Sequence, residues 1–293
     1  MTIIDTLFAT QSRSHTLLLS MLASAGLIVS AVWAERAASE LRRSDLLMPA
    51  VSGVLFALVA VTIMPFVERT VDQWLIPFLY LAGAAASLIL CAAARNLALR
   101  RARTPNRSTE PTGRQSAVAE NSVFSIVDLL GYGMAIGVAA AASATMGIAL
   151  ATGLAAANVH VSRQLGTGLL TATMSRMDRV ALQLGLILAL NGFALLAFWT
   201  VHSFGTKGTP ELLAFFGGFM LAAAARMLLS HGQAIAAGRT IWSALAFLGG
   251  FVAVALVATA LGEVLNAAGI RSSGFEHPVE QASAQSNIRQ ARE

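Results

Sequence analysis

The chain has 293 residues, 56% hydrophobic and only 12% charged, with a net charge of +5 and a mean hydropathy of +0.68. No soluble domain of that length hides so much apolar surface, which leaves an integral membrane protein. The single cysteine, Cys91, excludes an intrachain disulfide and any cysteine-based metal cluster, and it reads as a small buried apolar residue.

Apolar runs of about the 20 residues that cross a bilayer as a helix fall at 15–34, 47–66, 74–94, 123–142, 146–170, 179–200, 211–230 and 242–262. They predict an all-α polytopic membrane protein with eight transmembrane helices. The first run imitates a signal peptide, ending in Ala31-Val32-Trp33-Ala34. Cleavage there would remove a helix and spoil the charge parity of the loops, so the run is read as the first span. The second span opens at Pro49 and closes at Pro65, the first a position a helix tolerates and the second one that interrupts its ladder. The third begins near Trp74 and Pro77, with Trp74 and Tyr80 at interfacial depth.

Arginines set the predicted orientation. Loop 1 holds Arg36, Arg42 and Arg43, loop 3 holds Arg95, Arg100, Arg101, Arg103, Arg107 and Arg114, loop 5 holds Arg176 and Arg179, and loop 7 holds Arg239. The even loops carry only Arg69 and Lys207. Odd loops therefore face the cytoplasm and both termini lie outside, in the inner or plasma membrane of the cell. The net charge is a matter of topology, not of attraction to an acidic partner, and no nucleic acid is expected. The chain divides into spans one to three (1–94), a flexible cytoplasmic linker rich in Arg, Ser, Thr and Pro (95–121), spans four to eight (122–271) and a disordered tail (272–293).

The fourth and fifth spans are joined by about four residues, 142–145, and must lie antiparallel and adjacent. Within them stand Asp128, the one acid inside an apolar segment and not at its end, and a polar cluster of Asn158, His160, Ser162, Arg163 and Gln164. An ionisable group at such depth marks a site by default; the plainer alternative is an Asp128–Arg163 pair that neutralises itself. Both residues fall near the cytoplasmic surface, at similar depth. At 3.6 residues per turn, His160, Arg163, Gln164 and Thr167 share one face, and Leu154, Val161 and Leu165 another. Polar groups belong inside a membrane bundle, so the first face is expected to point inward. Gln183 and Asn191 are the mid-helix polar groups of the sixth span, and Asn191 suits a bond to a neighbouring helix. His231 and Arg226, near the cytoplasmic end of the seventh, read as snorkelling residues. Gly133 and Gly137 allow a close helix crossing. Glycines recur in step in the second and seventh spans, where Gly53 precedes Pro65 as Gly218 precedes Ser230. Inverted repeats of this kind, flanking a central pair of helices, are a transporter pattern.

Three of these stretches resemble a family. Asp128-Leu-Leu-Gly-Tyr-Gly-Met-Ala-Ile-Gly137 is similar to the fourth helix of ZIP (Zrt/Irt-like) metal transporters, His-Asn-x-x-Asp/Glu-Gly-Leu-Ala-Ile-Gly. The runs from Gly53 to Pro65 and from Gly218 to Ser230 resemble that family's second helix, ending His-Leu-Leu-Pro-Glu, and its seventh, carrying His-Glu-Leu-Leu-Pro. The likeness covers all eight spans and implies a ZIP-like bundle with inverted repeats flanking the fourth and fifth helices. Most of the family's metal ligands are replaced. Asp128 stands at the first histidine of the fourth helix, Leu129 at its asparagine and Tyr132 at its acid, Thr62 at the histidine of the second, and Arg226 and Met227 at the His-Glu of the seventh. In the fifth helix, against His-Asn-x-Pro-Glu-Gly, one register places Asn158 on the Asn; the other, favoured by the face argument, places His160 on the His and Gln164 on the Glu.

The resemblance implies a thin site for one divalent zinc, iron or manganese ion, held by Asp128 and His160 with Gln164 or Asn158 through an amide oxygen. Arg163, Tyr132, Asn191, Thr62 and Met227 would line the path. Arg163 opposes a divalent ion by several kcal/mol at an effective dielectric of about 20. Two functions follow. One is divalent-metal permeation by alternating access, with the fourth and fifth helices moving against the rest. The other is a transport-incompetent relative with a structural or regulatory role, its site closed by an Asp128–Arg163 pair. Anion or organic-solute transport on Arg163 is more distant. No nucleophile-and-base set suggests an enzyme, and no cofactor is expected beyond a transported metal. The expected partners are the bilayer and the metal, with room for a homodimer.

Overall fold

The computed structural model describes residues 14–29, 46–102, 113–171, 175–204, 208–234 and 240–267. Among them every regular element is a helix. In chain order these are α1 (Ser14–Val29), α2 (Leu47–Thr70), α3 (Ile76–Ala102), α4 (Gly113–Ala142), α5 (Ala144–Thr171), α6 (Arg176–Phe204), α7 (Thr209–Ala234) and α8 (Thr240–Ala267). Seven of them, α2 to α8, contain a stretch long and apolar enough to cross a membrane, while α1 is a shorter apolar helix. The chain is a membrane-embedded helical protein.

Two boundaries depart from the sequence reading. Residues 95–121 are not a linker throughout, because α3 runs on to Ala102 and α4 begins at Gly113. Arginine and alanine are good helix formers, so both flanks extend the helices they adjoin; residues 103–112 and the tail lie outside the described residues. Between α4 and α5 only Ser143 is non-helical, a tighter turn than expected.

Helix α2 is α-helical at each end and widens to a π-helix over Leu58–Ile63. Pro65 is the cause. It has no N–H for the Val61 carbonyl one turn back, and the Met64 N–H reaches five residues, to the Val59 carbonyl.

The helices wear their polarity inside out. In α1, Thr16, Ser20 and Ser24 are buried together with Leu19, Ala23 and Leu27, while Leu18, Met21, Leu22, Ile28 and Val29 are exposed. The same inversion covers α8, where Trp242, Leu245, Leu248, Val252 and Leu256 all face out. Lipid is as apolar as leucine, so apolar side chains gain nothing by leaving it, whereas hydroxyls and amides must find partners within the protein.

The closest pairings fall into two groups of helices, joined through a common core by α4 against α7 and α3 and by α2 against α5. In the first, α4 lies along α5 and α6, and α1 crosses α5 where Gly26 meets the Ala155 carbonyl. In the second, α2 pairs with α8, α3 with α7, and α2 with α7. The crossings in the second group are reciprocal. Gly53 sits on the Phe247 carbonyl and Gly250 on the Ala50 carbonyl, and likewise Gly83 sits on Phe215 and Gly218 on Tyr80. A methyl group at any of these four would overlap the facing backbone, so only glycine allows the approach. Among the described residues, every glycine that rests on a carbonyl of another helix does so within one group. Across the seam, Gly131 meets the Phe219 ring and Gly153 the Leu58 side chain.

Candidate functional site

Asp128 is buried on α4, and its partner is Arg226 of α7, which donates to the carboxylate in a buried ion pair. The same guanidinium donates to Cys91 Sγ of α3 and stands 5.6 Å from the centre of the Phe124 ring. Arg226 thus ties α4 to α7 and α3 across the seam. Only 19% of its side chain and 5% of that of Asp128 are exposed.

This corrects the snorkelling assignment of Arg226. A snorkelling side chain carries its charge out to the headgroups, whereas here a carboxylate at the same depth holds it inside. The described partner of Asp128 is therefore Arg226; the side chains of Arg163 and Gln164 lie outside the described residues. Cys91 is buried as expected, but as a hydrogen-bond acceptor and not as plain packing.

Two of the other candidates, Asn158 and Asn191, bond α1 and not Asp128. The Asn158 amide donates to the Ala23 carbonyl of α1 at 2.9 Å, and Ser162 donates to the Leu27 carbonyl at 3.0 Å. Asn191 of α6 accepts from Ser20 at 2.6 Å and donates to Ser24 at 3.0 Å, as its amide character suggested. These groups bind α1 to α5 and α6. Thr62 lies in the π-helical part of α2, its hydroxyl buried without a partner, beside a cavity of about 160 Å³ between α2, α5 and α8. Tyr132, one turn beyond Asp128, is wholly buried, and its hydroxyl also lacks a hydrogen-bond partner. His160 and Met227 are buried on α5 and α7. Among the described residues no three His, Cys, Asp or Glu side chains come close enough to share a metal ion.

The premise used to choose a register for the fifth helix fails. Leu154 and Val161, the face expected to look out to lipid, are fully buried in the main core, together with Ala157. Within a bilayer, apolar side chains suit the core and the lipid equally, so an apolar stripe does not reveal which way a helix faces.

Arg226 is the member of the buried ion pair that sequence reasoning missed. One signal for it existed. Asp128 stands five residues from the predicted start of its span at 123, and Arg226 four residues from the predicted end of its span at 230, both ends expected on the same side of the membrane. Similar depth and opposite charge are that signal, which the sequence reading assigns to a pair with Arg163. No protein-family model matches this chain, and no characterised protein matches it in sequence.

Proposed function

We propose that this chain is a ZIP-like membrane bundle in which the protein's own guanidinium occupies the cation position, so that it does not carry a divalent metal past Asp128. It acts as a structural or regulatory relative of a permease, an eight-span protein of the cell membrane with both termini outside, and it is not an enzyme. The Arg226–Asp128 pair carries this reading. A divalent ion would meet a guanidinium that cannot be deprotonated, and the one carboxylate that could attract the ion is already neutralised.

The ancestry in a permease rests on symmetry. Exchange α1, α2, α3 and α4 with α6, α7, α8 and α5. The pair α2–α8 then becomes α7–α3, α1–α5 becomes α6–α4, and α2–α5 becomes α7–α4, each a contact the molecule makes. The pairs α4–α5, α2–α7 and α1–α6 map onto themselves. Helices five apart in the chain, like the neighbours α4 and α5, would cross a membrane in opposite directions, so the exchange has the form of an inverted repeat of the transporter kind. The seam favours a second reading, in which α1, α4, α5 and α6 slide as one body, Arg226 withdraws from Asp128 and divalent-metal transport survives.

Uptake and binding of zinc, iron and manganese in proteoliposomes separate the two. No uptake by the wild type, with metal binding gained in Arg226→Glu, is the expected result. Wild-type uptake that Asp128→Ala and His160→Ala abolish would overturn the proposal.

A further inference from the structure

A second feature lies away from the Asp128 site, within the group formed by α2, α3, α7 and α8. Between α2, α3 and α7 runs an open groove of about 950 Å³, at the upper end of the roughly 300 to 1,000 Å³ typical of small-molecule sites. Its α2 wall is a stripe at four-residue spacing, Phe56, Ala60, Met64 and Glu68, faced by Leu221 of α7. The α3 wall is Gln73, Ile76, Pro77 and Tyr80.

Polarity along the groove is graded. Glu68, Arg69 and Gln73 stand together at one mouth, where α2 ends and α3 begins, and all three are exposed. Below them Tyr80 lines the groove, with its hydroxyl covered beside Gly217 of α7. Deeper still the lining is apolar. From Arg69 to Phe56 is thirteen residues, about 20 Å of helix at 1.5 Å each. That equals one leaflet, since half of a 30 Å hydrocarbon core plus one headgroup layer is also about 20 Å. Exposed Trp74 and Phe78 flank the mouth, as aromatic residues do at a membrane interface.

We propose that the groove holds one phospholipid of the leaflet that meets the α2–α3 turn, and that it selects an amine-bearing headgroup of the phosphatidylethanolamine kind. The phosphate faces Arg69 and the ammonium faces Glu68. An acyl chain lies along Met64, Ala60 and Phe56, against the Tyr80 ring. A headgroup with a phosphate but no amine would leave Glu68 facing a like charge.

The full-length chain is reconstituted in vesicles of phosphatidylethanolamine and phosphatidylglycerol in equal amounts, extracted in mild detergent and weighed by native mass spectrometry. The wild type is expected to retain one phosphatidylethanolamine, several-fold enriched over phosphatidylglycerol. Ala60→Trp, which fills the groove, and Arg69→Gln lose it, and Glu68→Gln keeps a lipid but loses the preference for the amine. Leu188→Trp, on the exposed face of α6, leaves retention unchanged, and unaltered thermal unfolding shows that each variant is folded. Wild type without a bound phospholipid, or with detergent alone, overturns the proposal. So do equal retention by folded Ala60→Trp and Arg69→Gln, or equal retention of the two lipids by the wild type.

Discussion

Replacing Arg226 by methionine keeps the bulk and apolar stem of the side chain and removes its charge, leaving Asp128 buried against Val127, Leu129 and Phe124 with no cation. A surface pair would lose at most about 1 kcal/mol. Here the carboxylate side is 5% exposed, so the buried limit applies, and removing one partner costs about 3 to 5 kcal/mol. The attraction itself is about 4 kcal/mol for unit charges 4 Å apart at an effective dielectric of 20. Asp128→Leu alone strands the guanidinium and costs somewhat less, because Arg226 keeps 19% of its surface open. The double variant Asp128→Leu/Arg226→Met strands neither charge and should fall within about 1 to 2 kcal/mol of wild type. Unfolding in mixed detergent micelles, followed by circular dichroism, measures all three. Cys91 gives a second readout, since the Arg226 guanidinium that donates to its sulfur favours the reactive thiolate, and the single arginine variant should react more slowly with a thiol reagent. Single costs below 1 kcal/mol, or a double variant whose loss equals the sum of the singles, would show that the pair is not the buried link described here.

Other substitutions test the packing. Asn191→Leu removes the two bonds from α6 to Ser20 and Ser24 of α1, whose hydroxyls keep the Leu17 and Ser20 carbonyls, and at roughly 0.6 to 1.7 kcal/mol per interhelical bond should cost about 1 to 3 kcal/mol in the same unfolding assay, with earlier proteolysis of α1. Tyr132→Phe deletes a buried hydroxyl that has no hydrogen-bond partner; since an unsatisfied polar group costs about 1 to 3 kcal/mol, the variant should be neutral or more stable, and a clear loss would reveal a bond to that hydroxyl. Gly53→Leu and Gly218→Leu, at the two reciprocal crossings, should each abolish folded protein on size exclusion. Gly192→Ala, with nothing near the added methyl, should be silent.

Much of the architecture was legible without coordinates. Long apolar runs from Leu47 to Leu229 and from Ile241 to Ala260 could be nothing but membrane helices, because their length and composition alone satisfy the bilayer. A turn of at most a few residues at Ser143 had to make α4 and α5 antiparallel neighbours, and Asn191, a lone amide in lipid, had to find another helix. Those inferences depend on what a residue needs, which the chain states directly. What only the tertiary structure decided is which residue meets that need. The side of α5 carrying Leu154 and Val161 faces the core, Asn158 answers to α1 and not to Asp128, and Asp128 answers to Arg226, 98 positions away. In water the hydrophobic effect would mark the inward face of each helix. In lipid that signal vanishes, since the inside and the outside are equally apolar, and facing is settled by glycine crossings and a few polar bonds that exist only once the helices are packed.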